Sequence, residues 1–337
     1  MTEHTSEPAL DAAGAAGVAS RDGWRWMAII ATFAIVLLVL ELVLASVGWI
    51  NTHLLRPSVL PPFIARCADL YLHIVFIALA LVGVEFLFPG NRAPKRYSRA
   101  ALFWACYVPI SVLSADIAHA VVQHYGIKPL ISLRSDSLRL TGLAGVAVNA
   151  AAVLLSAFLF DFFYYWFHRV QHAAPLLWAF HSVHHSNRSI NVLSCYHHPL
   201  EDLWRLPLFL LPIALIFEVV APSLFVISAF VAAWGIFNHM DSSFSLGRLR
   251  YLLADNHYHR LHHSIASEHF NVNYAGMFSV WDRLFRTQMM PPRDAQMLAV
   301  GVADLPEPQT VPQYFSAPFT ILVKMLRGER ARAHSRD

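Results

Sequence analysis

Four stretches of this chain, residues 26–50, about 64–88, about 101–124 and about 143–167, are long and apolar enough to call for a bilayer. A helix needs roughly 20 apolar residues to cross the hydrocarbon core, and each run reaches that length. Hydrophobic residues make up 56% of the chain and charged residues 14%. Mean hydropathy is +0.46, well outside the range of ordinary soluble proteins. The sequence therefore reads as an all-α integral membrane protein with about four transmembrane helices. Arg21 and Arg25 ahead of the first run imitate a signal peptide, but that run is longer than the roughly 7–15 apolar residues of a cleavable one.

The chain divides accordingly. Residues 1–23, rich in Ala, Ser, Thr and Glu, read as a disordered tail, and residues 24–142 hold the first three spans and their loops. Residues 143–288 hold the fourth span and the chemistry-bearing motifs. Residues 289–337 form a polar C-terminal tail, whose apolar segment 314–326 ends in Lys324, Arg327, Arg330 and Arg332 and is expected to lie along the membrane interface. Arg92, Lys95, Arg96 and Arg99 crowd the loop between spans two and three, which places that loop in the cytoplasm by the positive-inside rule. Span four then also ends on the cytoplasmic side. Residues 203–237 are apolar but broken by Pro207, Pro212 and Pro222, and read as a membrane hairpin that returns to the side it left.

Thirteen of the nineteen histidines fall within 168–198 and 239–269. They recur as His168-x3-His172, His181-x2-His184-His185 and His259-x2-His262-His263. Residues three or four apart share a helix face, so each motif aims its imidazoles at one point. Neutral imidazole is a good ligand for zinc, copper and iron. Eight ligands are too many for one ion and suit two. The motifs can meet only if the hairpin brings the chain back to the same side, so topology and metal site support each other. Asp161, Tyr165, His168 and His172 form one helical stripe, in which Asp161 is expected to accept the second N–H of a ligating imidazole.

Other classes find less support. The cysteines Cys67, Cys106 and Cys195 are scattered and form no C-x-x-C pair, and the net charge of +3 is too small and diffuse for nucleic-acid binding. A metal transporter would line the mid-membrane with several ionisable residues, whereas the spans hold few: Glu41 lies past the middle of span one, Glu85 near the cytoplasmic end of span two, and Asp116 and His119 towards the outer end of span three. A bis-histidine haem protein would have only His73 and His119 to use.

The three histidine motifs resemble those of the fatty acid hydroxylase/sterol desaturase superfamily, membrane non-haem di-iron oxygenases. So do Asp161-x-x-Tyr164-Tyr165-x-x-His168-Arg169 before them, and Asn273-Tyr274 and Trp281-Asp282-Arg283-Leu284-Phe285 after them. The resemblance covers about residues 150–288. It implies a cytosolic helical cap holding two iron ions over four transmembrane helices, with His168, His172, His181, His184, His185, His259, His262 and His263 as ligands. Asn238-His239 matches a further family histidine and adds His239 to the set, while Ser243 stands where some members place another. His198, followed by Pro199 and Glu201, is expected to support a ligand or line the pocket; His197, His257 and His269 are read as cap histidines. Arg286-Thr287 replaces the usual Gly-Thr.

Attack on an unactivated C–H bond needs a stronger oxidant than any side chain. The resemblance therefore implies O2 as co-substrate and a lipid substrate drawn from the bilayer: fatty acyl, sterol or related. No dinucleotide, flavin or haem motif is present, so two electrons must come from an external donor such as a ferredoxin, a cytochrome b5-like protein or a reductase. Hydroxylation is the leading reaction, with desaturation on the same site and metal transport or binding as alternatives. The short chain, without a fused cytochrome or retention signal, points to a bacterial inner membrane, with the cap facing the cytoplasm.

Overall fold

The computed structural model describes residues 61–91, 97–128, 130–133, 142–219, 223–303 and 305–327. The tail at 1–23, the first span at 26–50 with Glu41, the basic residues Arg92, Lys95 and Arg96, and Arg330 and Arg332 lie outside the described residues.

Three described helices are long and apolar enough to cross a membrane, as befits an integral membrane protein. The first, α1 (Pro62–Leu87), starts with Pro62 in its first turn, where the missing N–H costs nothing. The second, α2, spans Tyr97–His124. The third, α3 (Gly142–Ala173), continues past the end expected near residue 167. That extension puts His168 and His172 on the helix's last turns, on the same buried stripe as Asp161 and Tyr165. Leu79 of α1, Leu102 of α2 and Leu154 of α3 remain exposed, an outward apolar coat suited to lipid.

At Pro175 the chain turns from α3 into α4 (Pro175–His185), because the residue before a proline resists helical geometry. The two helices pack together, facing the first histidine pair with His181, His184 and His185. Short 3-10 turns at Val192–Cys195 and Pro199–Glu201 lead to the hairpin.

The hairpin's first limb is a broken helix. It comprises α5 (Asp202–Arg205), a π turn (Leu206–Leu210) and α6 (Leu211–Ile216). Its second limb is α7 (Ser223–Asn238). The wider π turn accommodates Pro207, which has no N–H to donate. Both limbs end at the histidines, since α5 follows Glu201 and α7 leads directly into His239.

One element departs from the all-α expectation. Strand β1 (Ile131–Leu133) pairs in parallel with β2 (Phe217–Val219), in the register Ile131↔Phe217, Ser132↔Glu218 and Leu133↔Val219. The link between α2 and α3 passes the end of the hairpin's first limb, and both segments carry β-branched residues that favour extended backbone.

Of the three remaining described helices, two close the site. The first, α8 (Asn256–His262), is capped by Asp255, whose side chain accepts the Tyr258 N–H at 2.9 Å. It packs on α7. Beyond the short α9 (Val280–Leu284), α10 (Val311–Leu326) buries Tyr314, Pro318 and Ile321 against the region of α4. These positions repeat at helical spacing, so the tail's apolar segment is a docked helix.

Candidate metal centre

Nine histidines converge from four segments of chain. His168, His172, His181, His185 and His262 form one group and His184, His239, His259 and His263 a second, with ligand atoms in each group within 4.8 Å of one another. All nine are buried. The structure thus brings together every histidine that the sequence singled out for metal. It also splits the neighbours His184 and His185 between the two groups.

Backbone carbonyls decide where the ring protons sit. Nδ1 of His168 bonds the Tyr274 carbonyl at 2.7 Å, and Nδ1 of His262 the Val272 carbonyl at 2.7 Å. Nδ1 of His184 bonds the Tyr196 carbonyl at 2.9 Å, and Nδ1 of His239 the Gly235 carbonyl at 2.7 Å. A carbonyl can only accept, so each Nδ1 carries the proton and each Nε2 presents a lone pair. Yet His168 and His262 face each other Nε2 to Nε2 at 3.1 Å, as do His184 and His239 at 3.1 Å. Two lone pairs at that separation repel unless a cation lies between them. Two imidazoles at right angles on one metal, with bonds of about 2.1 Å, would hold their nitrogens about 3.0 Å apart. The donor set and its spacing fit a metal ion in each group.

Burial, helped by neighbouring imidazoles, holds His184, His185, His259 and His263 well below the ordinary histidine pKa. Burial takes His239 down to about 3. All of these rings are therefore neutral at neutral pH, the form that binds metal.

The carboxylate that supports an imidazole is Glu201. Its Oε2 lies 3.4 Å from His181 Nδ1 and 3.2 Å from His197 Nδ1, and accepts from Gln171 Nε2 at 2.7 Å. Burial pushes this carboxyl up in pKa, but His197 and His181 outweigh it and hold it ionised. His197 stacks on His184 with ring centroids 4.1 Å apart. Only the four-residue spacing of His197 and Glu201 signals this pair in the sequence.

The two supporting residues expected from sequence sit elsewhere. Among the described residues Asp161 makes no hydrogen bond to an imidazole; its carboxylate is taken by the backbone N–H groups of Gly276 at 3.0 Å, Met277 at 2.9 Å and Phe278 at 2.6 Å. A loop arriving more than a hundred residues later satisfies it first. His198 packs against Phe180, Tyr314 and Phe315, and its Nδ1 accepts the Leu200 N–H at 3.2 Å. It is His197 that faces the cavity, because the Pro199 turn points consecutive side chains in opposite directions. Ser243 is exposed and belongs to neither group. His257 bonds the Ser242 carbonyl and His269 the Ser264 hydroxyl.

The loop 271–278 is the keystone of the first group. Asn271 and Asn273 both adopt φ of 60°, the left-handed region that asparagine tolerates. The carbonyls of Val272 and Tyr274 are thereby turned onto His262 and His168. Asp282 accepts the N–H groups of Tyr274 at 2.8 Å and Ala275 at 2.9 Å, together with the Tyr258 and Thr287 hydroxyls. Asn238 Nδ2 donates to the Gly276 carbonyl at 2.5 Å. A side chain at Gly276 would meet Asp161 Oδ1 and the Tyr164 ring at 3.0 Å, so the close approach needs glycine.

Residues 153–287, which contain all nine histidines, Asp161 and the 271–278 loop, match the family profile described as fatty acid hydroxylase. This segment belongs to the fatty acid hydroxylase family. Human alkylglycerol monooxygenase is 33% identical over 134 residues, covering 39% of this chain and 29% of that protein. The Danio rerio alkylglycerol monooxygenase is 35% identical over 128 residues, 38% of this chain and 28% of its own length. The ornithine lipid hydroxylase OlsE of Rhizobium tropici is 30% identical over 145 residues, 43% of this chain and 44% of its own length. The matches thus span less than half of each relative. No solved structure matches the chain significantly.

Proposed function

We propose that this chain is a membrane lipid hydroxylase that uses O2 and two external electrons. In this reading His168, His172, His181, His185 and His262 hold one iron ion, and His184, His239, His259 and His263 hold the other. The observation that carries it is the pair of face-to-face Nε2 contacts, one in each group, between rings whose protons are committed to backbone carbonyls. Bound iron would supply the activation of O2 that no side chain provides.

The chain's own residues set the conditions. The carbonyls of Val272, Tyr274, Tyr196 and Gly235 fix the tautomers, and Glu201 holds His181. A cavity of about 300 Å³ starts at His197, Glu201, His239 and His259 and runs between α1, α2, α3 and α7. It gives a lipid chain a dry approach to the histidines. Hydroxylation is preferred over desaturation because the relatives are named for hydroxylation and monooxygenation.

The test is elemental analysis coupled to lipid mass spectrometry. Protein purified anaerobically with iron should carry about two metal ions per chain, and expressing cells should gain a lipid with one added oxygen. His262→Ala should empty the first group and His184→Ala the second, each abolishing the product. One ion per chain, or full metal in both variants, would sink the dinuclear assignment. A product lacking two hydrogens would move the reaction to desaturation.

A further inference from the structure

The cavity beside the histidines is apolar on most sides, with Ile74, Phe160, Val231 and Met277 in its wall. One wall is not. There α5 contributes Asp202 and Arg205, and α2 contributes Tyr107 and Ser111. Arg205 Nη1 donates to the Tyr107 hydroxyl at 3.3 Å and lies 3.7 Å from Asp202 Oδ1. Its guanidinium sits over the Phe209 ring at 5.6 Å, and the π turn starts at the next residue.

A guanidinium has five N–H donors, and among the described residues Tyr107 is the one hydrogen-bonded partner of Arg205. Asp202 is buried with Ser111 and Arg205 as its polar neighbours, and its two oxygens keep unused acceptor capacity. An ion pair in an apolar cavity is costly unless further bonds complete it. Arg205 side-chain exposure is 33%, and both side chains line the cavity, so spare donors and acceptors lie side by side in it. The pair has no net charge. A bare carboxylate or phosphate would meet the Asp202 charge, and a plain hydrocarbon would leave both partners incomplete. A hydroxyl or secondary amide, which donates and accepts at once, completes both.

We propose that Arg205 and Asp202 bind the polar junction of the lipid substrate, and that this substrate carries a hydroxyl or amide where its hydrocarbon chain begins. The proposal rests on the hydroxylase reading for the identity of the occupant. Position adds regiochemistry. Arg205 follows Glu201 by four residues, about 6 Å of helix rise, and Glu201 contacts His181. The carbon attacked therefore lies a few bonds from the polar junction, not at the far end of the chain.

Binding tests this without turnover. Trp104 and Trp234 line the cavity, so chain-brominated probes entering it quench their fluorescence. The full-length, metal-loaded protein in nanodiscs, without reductant, is titrated with brominated 1-O-hexadecylglycerol, N-hexadecylacetamide, palmitate and hexadecane. The hydroxyl or the amide probe should bind roughly tenfold tighter than palmitate or hexadecane. Arg205→Met and Asp202→Leu should erase that preference, while hexadecane binding and metal content stay at wild-type values. Tyr107→Phe, a milder change, should weaken the preference in the same direction. Equal affinity for all four probes, a preference for palmitate, or an unchanged preference in Arg205→Met and Tyr107→Phe would overturn the proposal. Selective binding without any lipid oxidation in cells would overturn the hydroxylase reading and leave this assignment standing.

Discussion

Single residues in this protein act mostly by holding backbone. Asp161 takes three amide N–H groups with two oxygens. Asparagine offers one accepting oxygen and an NH2 that repels an amide, so Asp161→Asn should lower unfolding stability in detergent by about 1–3 kcal/mol. Because the loop it holds carries the Tyr274 carbonyl, metal in the His168 group should fall with it. Wild-type melting and metal content in the variant would show that the clamp is dispensable. The histidines set a pH limit. The folded pKa values of His184, His185, His259 and His263 lie well below the ordinary 6.5 and that of His239 at about 3, so above pH 6.5 these rings are neutral in both folded and unfolded states and their contribution to stability is fully present. As pH falls from about 6.5 toward 3, the unfolded chain takes up protons that the folded core refuses, and stability is lost. Metal should leave over the same window, since protons compete for the same nitrogens. An acid titration following metal release and near-ultraviolet dichroism together checks this; retention to pH 4 would contradict it. Ligand spacing is local and made eight of the histidines legible, while His239 entered only through the family resemblance. The roles of Asp161 and Glu201 were not legible, because each depends on what reaches it from a distant segment.

At the scale of elements, the helical stripe of Asp161, Tyr165, His168 and His172 is a buried face, as its spacing requires. The prolines marked the hairpin, but they could not show that its first limb is a helix interrupted by a π turn, nor that its end pairs with residues 131–133. The departure from Gly-Thr falls in the turn after α9. Arg286 has φ of 60°, a conformation glycine adopts without penalty and arginine does not. Arg286→Gly should therefore raise the unfolding free energy by roughly 1 kcal/mol, with metal content unchanged. A lower melting temperature would mean that the arginine side chain contributes more than its backbone costs.

For the molecule as a whole, the two apolar limbs begin and end at the histidines, so residues flanking both motifs are expected to label from one side of the membrane. In a background lacking Cys67, Cys106 and Cys195, single cysteines at Ser189 and Ser267 should label from the same side, and one at Arg96 should report that side as cytoplasmic. Labelling of Ser189 and Ser267 from opposite sides would be incompatible with the shared centre. The asparagine-turned loop also has a bearing on how the protein is made. Synthesis runs from the N-terminus, so His168, His172, His181 and His185 leave the ribosome about a hundred residues before the carbonyls of Val272 and Tyr274. The second group depends on Tyr196 and Gly235, which emerge earlier. Maturation therefore has a built-in sequence: the nascent chain can orient the His184 group as soon as His263 appears, and the His168 group waits for the last turn of the loop.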